Sequence, residues 1–414
     1  MRRKGGRGMS EWKKVKLGEV CDTQYGFTAS TVQQDTGTQF LRITDIVPQL
    51  IDWNTVPYCQ IQEKDREKYL LHKGDIVVAR TGATVGYAKY IKEDVPAVFA
   101  SYLVRLLVNS IDVDRHYVGL CVESNLFKEY IQSISNGSAQ PNANAQMISS
   151  FEINLPPLST QHRIATILSR YDSLIENYQK QIKLLEEAAQ RLYKEWFVDL
   201  RFSGHENTNI IDGVPEGWEK KTIDDVTCKI TTGLNPRKNF VLGKGSNYYV
   251  TIKNMADNTL FLDDRCDRVD NEALEKINKR SDLKIGDILF SGIGTIGRVA
   301  LVYIPTNNWN VSESVFTLRA NDIVTKEFLY LMLLSPDMQN YCQSNAHGAA
   351  QKGIRMADLK AYSFNLPPFG VIQKFTNLVT PTIKKVSSIR NQIRLLTEAR
   401  DRLLPKLMSG EIAV

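Results

Sequence analysis

The chain is written twice, and no other feature limits its fold as strongly. "LPPLSTQHRIATIL" begins at Leu155 and "LPPFGVIQKFTNLV" begins at Leu366, 211 residues later. The same offset carries "NGSAQ" (Asn136 to Gln140) onto "HGAAQ" (His347 to Gln351), and "LLEEAAQRLYK" from Leu184 onto "LLTEARDRLLPK" from Leu395. Nearer the start, Trp12 and Val20 match Trp218 and Val226 at an offset of 206. Between these markers, "LHKGDIVVARTGATVG" (Leu71 to Gly86) matches "LKIGDILFSGIGTIG" (Leu283 to Gly297) with one residue deleted. Loop insertions account for the drift in offset, while order and punctuation are kept. A repeat on this scale makes each copy a structural unit and predicts a pseudo-two-fold molecule.

Each copy has two parts. Residues 10–158 and 218–368 mix short β-like runs such as "DIVVAR" and "SVFTLRA" with helical patches such as "KEFLYLMLLS", which predicts a mixed α/β domain. The second part is helical. From Ile164, apolar residues fall at Leu168, Tyr171, Ile175, Tyr178, Ile182, Leu185, Ala189, Leu192 and Trp196, in steps of four and three. That is a heptad seam. The second copy repeats it through Phe375, Val379, Val386, Ile389, Ile393, Leu396, Leu403 and Leu407, with Thr382 and Arg400 at two seam positions and Pro381 expected to disturb an early turn. A helix over 161–197 is about 55 Å long, and its single apolar stripe must be buried. The nearest equal stripe is the other helix; the alternative is that each helix lies on its own domain. The favoured fold is therefore α+β: two pseudo-symmetric mixed α/β domains separated by an antiparallel two-helix coiled coil. The expected boundaries are 1–158 (1–9 a basic extension), 159–200 for the first long helix, 201–217 as linker, 218–368, and 369–414 for the second helix.

Composition narrows the function classes. The 414 residues are 43% hydrophobic and 24% charged, as in a soluble globular protein, with no apolar run long enough for a membrane span. "MRRKGGRGMS" lacks the apolar core of a signal peptide, and Met9 is a candidate start. Arg2, Arg3, Lys4 and Arg7 supply four of the six net positive charges, so a nucleic-acid role requires basic residues concentrated on one face. The six cysteines stand singly and predict reduced, mostly packed thiols in a cytoplasm. No nucleophile elbow, zinc-protease helix or phosphate-binding loop motif occurs, and the five histidines lack metal-ligand spacing.

One motif tests this reading. Gly292-x-Gly294-x-x-Gly297 spells a dinucleotide-binding fingerprint, yet "RVALVYIP" follows it, a strand-like run where a helix is required. The repeat places Arg80 opposite Gly292, Gly82 opposite Gly294 and Gly86 opposite Gly297. What the copies share is a glycine-containing hairpin turn. A duplicated chain without catalytic groups reads as a binder, and paired domains at fixed separation suit the local two-fold symmetry of double-stranded DNA. By chemistry, the candidate contacts are Arg80, Thr81, Thr84 and Lys89 around the first turn, and Ser291, Thr295 and Arg298 around the second. The polar loop "NGSAQPNANAQ" adds Gln140, Asn142 and Asn144, its counterpart "HGAAQKGIR" adds Gln351, Lys352 and Arg355, and "NPRKNF" adds Arg237 and Lys238.

From about residue 10 onward the sequence resembles the specificity subunits of Type I restriction–modification systems. The resemblance rests on the two-copy layout, the "LPPL" and "LPPF" helix entries, "LLEEAAQRLYKEWFVDLRFSG", and the terminal "RLLPKLMSGEI". It implies two target-recognition domains, each reading one half of an interrupted, asymmetric DNA site, with the long helices as spacer. It also implies docking of two adenine-N6 methyltransferase (M) subunits and, through the complex, ATP-dependent restriction (R) subunits. S-adenosylmethionine, ATP and Mg²⁺ then belong to those partners, and this chain carries no cofactor and no metal. Two other readings are the recognition portion of a self-contained restriction–methylation enzyme, and a coiled-coil adaptor for proteins only.

Overall fold

The computed structural model describes residues 12–414 except 49, 136–140, 257, 264 and 349–351. The chain packs as two compact units, Met1–Asn177 with Arg394–Val414, and Tyr178–Ile393. Packing therefore divides the chain inside both long helices, where the sequence boundaries ran between helix and domain. The basic extension, Gln140 and Gln351 fall outside the described residues.

The two units repeat one topology. In the first, a four-stranded antiparallel sheet places Leu103–Val108 between Cys21–Tyr25 and Ile76–Ala79, with Ala88–Tyr90 at the edge. In the second, Val315–Ala320 lies between Thr227–Thr232 and Ile288–Ser291, with Val299–Leu301 at the edge. A smaller sheet in each unit contains one parallel pair, Gln39–Leu41 with Ala97–Phe99, and Asn247–Val250 with Trp309–Val311. A third pairing closes each domain before its long helix: Lys13–Lys16 with Glu152–Leu155, and Glu219–Thr222 with Ser363–Leu366. The central strands carry apolar residues on both faces. Ile76–Ala79 and Ile288–Ser291 are buried throughout, because helices and the smaller sheet cover them.

The repeated Gly-Asp pair that precedes each central strand has a structural task. Asp75 accepts from the His72 amide at 3.0 Å and pairs with Arg105 at 2.9 Å, both side chains being almost wholly buried. Asp287 accepts from the Lys284 amide at 2.8 Å and pairs with Arg319 at 2.7 Å. Removing one partner of a buried pair leaves a desolvated charge, at a cost of about 3–5 kcal/mol.

The long helices run Leu158–Phe197 and Phe369–Ser409, entered through Pro156–Pro157 and Pro367–Pro368. In the first unit Asp172 meets Arg400 at 2.8 Å, and Ile164, Ala165 and Leu168 share a core with Leu403, Leu404 and Leu407. In the second, Glu186 pairs with Arg390 while Trp196 and Phe197 pack on Phe375. Within each unit the helical segments are thus antiparallel, and each stripe is shared between the other helix and the adjoining domain. Of the seam positions, Leu168, Ile175, Ala189, Trp196, Phe375, Val379, Val386, Ile389 and Leu407 are buried; Tyr171, Tyr178, Ile182, Leu185, Leu192, Ile393, Leu396 and Leu403 are half-buried. Tyr193 and Ile383, outside the strict seam, are buried as well. A helix of 3.6 residues per turn drifts about 20° per heptad, and here the domain covers the flank that drifts away. The disturbance expected at Pro381 is absent, since the helix runs through it unbroken. Pro381 and Asn377 lie on the exposed side, where water can satisfy the carbonyl that proline leaves unpaired.

Candidate nucleic-acid interface

The glycine-containing segments are turns between antiparallel strands, Ile76–Ala79 with Ala88–Tyr90, and Ile288–Ser291 with Val299–Leu301. No helix follows Gly297, so a dinucleotide would have no helix terminus to meet. Three backbone hydrogen bonds frame each turn in the same way. In the first unit the Arg80 amide donates to the Tyr102 carbonyl at 3.0 Å, the Ala143 amide to the Arg80 carbonyl at 2.7 Å, and the Gly82 amide to the Pro141 carbonyl at 3.0 Å. In the second, Gly292 donates to Ser314 at 3.0 Å, Ile354 to Gly292 at 2.8 Å, and Gly294 to Lys352 at 2.7 Å. Gly82 and Gly294 both adopt positive φ, +72° and +76°, which an L side chain rarely tolerates. The frame is common to both copies; the side chains mounted on it are not.

In the first unit the frame brings Arg80, Thr81 and Asn142 together. Arg80 Nη2 donates to Asn142 Oδ1 at 3.3 Å, and its guanidinium lies over the Tyr25 ring at 4.8 Å. Thr81 forms an isolated bridge with Asn142, and the Thr84 hydroxyl turns back to the Thr81 carbonyl at 3.4 Å. Tyr25 and Tyr102 are 42% and 59% exposed and were not among the candidates from sequence. The available signal was Tyr25 preceding a glycine at a strand end. Gly26 is needed there because a Cβ would stand 2.2 Å from the Ala100 carbonyl oxygen.

Other candidates do different work. Lys89 faces the helix pair, among Glu123, Lys92, Asp172 and Arg400; burial, aided by the neighbouring cations, holds its ammonium below the usual lysine range. Asn144 caps the helix Ala145–Ser149, its Oδ1 accepting from the Met147 amide at 2.8 Å. In the second unit Ser291 is fully buried, its hydroxyl donating to the Thr295 carbonyl at 2.6 Å and accepting from the Arg298 amide at 2.8 Å. It cannot reach a base. Arg298 is similarly occupied: Nη1 donates to the carbonyls of Ile252, at 3.0 Å, and of Met255. Both were chosen because their residue types suit DNA, yet the fold consumes the Ser291 hydroxyl and one terminal nitrogen of Arg298. Thr295, Lys352 and Arg355 remain exposed. Arg237 and Lys238 are exposed on the short helix Pro236–Asn239. Its cap, Asn235, donates to Glu313 at 2.8 Å, beside the Ser314 whose carbonyl frames the second turn.

The remaining chemistry is structural. Burial pushes the thiols of Cys21, Cys121 and Cys342 up to about 12, so these cysteines act as packed apolar groups. No group of three or more His, Cys, Asp or Glu that could hold a metal occurs among the described residues.

Comparison with known proteins agrees with this arrangement. The Type I restriction modification DNA specificity domain matches twice, over residues 9–187 and 215–393. The Type I restriction enzyme MjaIX specificity subunit of Methanocaldococcus jannaschii is 27% identical over 347 residues, covering 83% of this chain and 78% of the relative. The HindI specificity subunit of Haemophilus influenzae is 24% identical over 98% of this chain and 100% of its own length. Among solved structures, the S subunit of a Type I restriction–modification system from M. genitalium aligns with a TM-score of 0.55 at 16% identity, covering 96% of each chain, a likeness of fold. Two framed turns in two matched domains, joined by two long helices, place this chain in the family of Type I restriction–modification DNA specificity subunits.

Proposed function

We propose that the chain recognises an interrupted, asymmetric double-stranded DNA site, one half through each domain, and carries out no reaction step itself. The observation that carries this is the pair of turns: one backbone frame, built twice, holding Arg80 in one copy and nothing beyond Cα at Gly292 in the other. Identical readers would read identical half-sites; differently furnished readers on one scaffold suit an asymmetric target. The long helices act as the spacer and offer the docking surface for two adenine-N6 methyltransferase subunits, with ATP-dependent restriction subunits joining through that complex. S-adenosylmethionine, ATP and Mg²⁺ act on those partners, in the cytoplasm. Specificity subunits that match along nearly their whole lengths favour this over the recognition portion of a self-contained restriction–methylation enzyme.

Methylome sequencing with the chain and its methyltransferase present, then absent, should reveal adenine methylation at one bipartite motif only in the first case. Exchanging residues 218–368 for another recognition domain should change one half of that motif. A change in both halves would contradict the modular reading. Deleting one heptad from each long helix should alter the spacing between the halves or abolish methylation, and an unaltered site would sink the spacer role.

A further inference from the structure

We infer that Arg80 reads a guanine in the half-site bound by the first domain, and that the matching position of the second domain, Gly292, makes no such contact. This rests on the DNA-recognition reading above and assigns one residue its base. Arg105 and Arg319 are spent on carboxylates inside the protein, and Arg298 commits one terminal nitrogen, Nη1, to backbone carbonyls. Arg105 donates to Asp75, Gln24 and two backbone carbonyls, Arg298 to two carbonyls, and Arg319 to Asp287 and Asp282. Arg80 differs. Its side-chain hydrogen-bond partner among the described residues is the Asn142 amide oxygen, not a carboxylate, and its buried Nε has no acceptor among them. It is nonetheless held in place: the Tyr25 ring supports the guanidinium plane, and Asn142 Oδ1 takes one N–H from Nη2. Tyr25 is pinned in turn, its hydroxyl accepting from the Ala145 amide at 3.0 Å.

The result is an oriented cation with N–H groups on both terminal nitrogens that meet no acceptor among the described residues. Guanine presents O6 and N7, two acceptors side by side, to such a fork. Adenine puts its N6 amino donor where O6 would be, so one of the two hydrogen bonds becomes a repulsion. At the same point of the second frame, Gly292 offers no side chain, and a Cβ there would stand 2.6 Å from the Phe316 ring. Packing therefore keeps that position empty.

The test is selection from a randomised duplex library by the chain assembled with its methyltransferase subunits. The wild-type complex should enrich a G·C pair at a position in one half-site. Arg80→Ala should flatten the preference at that position by roughly 5- to 150-fold and leave the other half unchanged. Arg80→Lys, which keeps the charge and the fold but loses the fork, should retain binding to unselected DNA and still lose discrimination at that position. Preferences unchanged at every position in both variants overturn the inference. So does a uniform loss across all sequences, which marks a phosphate contact. A wild-type complex that enriches no sequence at all overturns the DNA-recognition reading itself, so the two failures are told apart.

Discussion

The turn at Arg80 and the turn at Gly292 are the same object by backbone and different objects by side chain. In the first, the polar residues project: Arg80 rests on Tyr25, and Asn142 and Tyr102 stand exposed around it. In the second, they fold inward: Ser291 and Arg298 satisfy carbonyls and amides of the turn and its neighbours, and Phe316 packs against the bare Cα of Gly292. What this teaches is that a reading site can be varied without altering its mount. The three hydrogen bonds that frame each turn use backbone groups only, so substitution at Arg80 or its neighbours leaves them available.

The two copies also differ in how firmly their frames are set, and this is where the comparison breaks most readily. The Asp75–Arg105 pair is sealed from water, whereas Arg319 keeps 23% of its side-chain surface exposed beside Asp287. Asp75→Ala should therefore destabilise the first domain by about 3–5 kcal/mol, visible as a lowered thermal midpoint, and Asp287→Ala should cost the second domain less because water reaches Arg319. Equal losses would show that the two pairs are equally desolvated. A smaller effect separates the turns themselves. Gly292→Ala forces a methyl against the Phe316 ring and should cost about 1–3 kcal/mol in denaturant unfolding, whereas Arg80→Ala at the matching position introduces no new atom and should leave stability nearly unchanged. If Gly292→Ala is neutral, Phe316 can move and the position is open to side chains after all.

The smallest expected difference lies at the helices that follow. Asn144 caps its helix through Oδ1, but at the matching place, 211 residues on, no side-chain hydrogen bond from Arg355 caps Met356–Ala361. Asn144→Ala should cost about 1 kcal/mol, and Arg355→Asn should recover part of that amount in the second domain. Arg355→Asn should also weaken DNA binding evenly across sequences if Arg355 touches phosphate, read as a shallower salt dependence. An unchanged salt slope would remove Arg355 from the interface.

Much of the architecture was legible because it depends on period and order. The duplication, the heptad steps from Ile164 to Trp196, the Pro-Pro helix entries and the strand character of "RVALVYIP" are carried by neighbours in the chain. The site was legible only in part. Arg80, Thr81 and Asn142 come together as residue type suggested, but Lys89, Asn144, Ser291 and Arg298 are spent on structure. Gln140 and Gln351 lie outside the described residues. Residue type reports what a side chain can bond to; which partner reaches it first depends on elements distant in sequence, as with Arg298 and the Ile252 carbonyl 46 positions away.

By itself, the sequence determined that this protein consists of two related domains, each followed by a long amphipathic helix, since repetition and periodicity are properties of the chain. Only the tertiary structure decided how each apolar stripe is divided between the other helix and the adjoining domain, and which polar groups remain free. Hydrogen bonds and burial are settled by competition among all the groups that folding brings within reach, and that competition set Arg80 over the Tyr25 ring while it tied Arg298 Nη1 to backbone carbonyls.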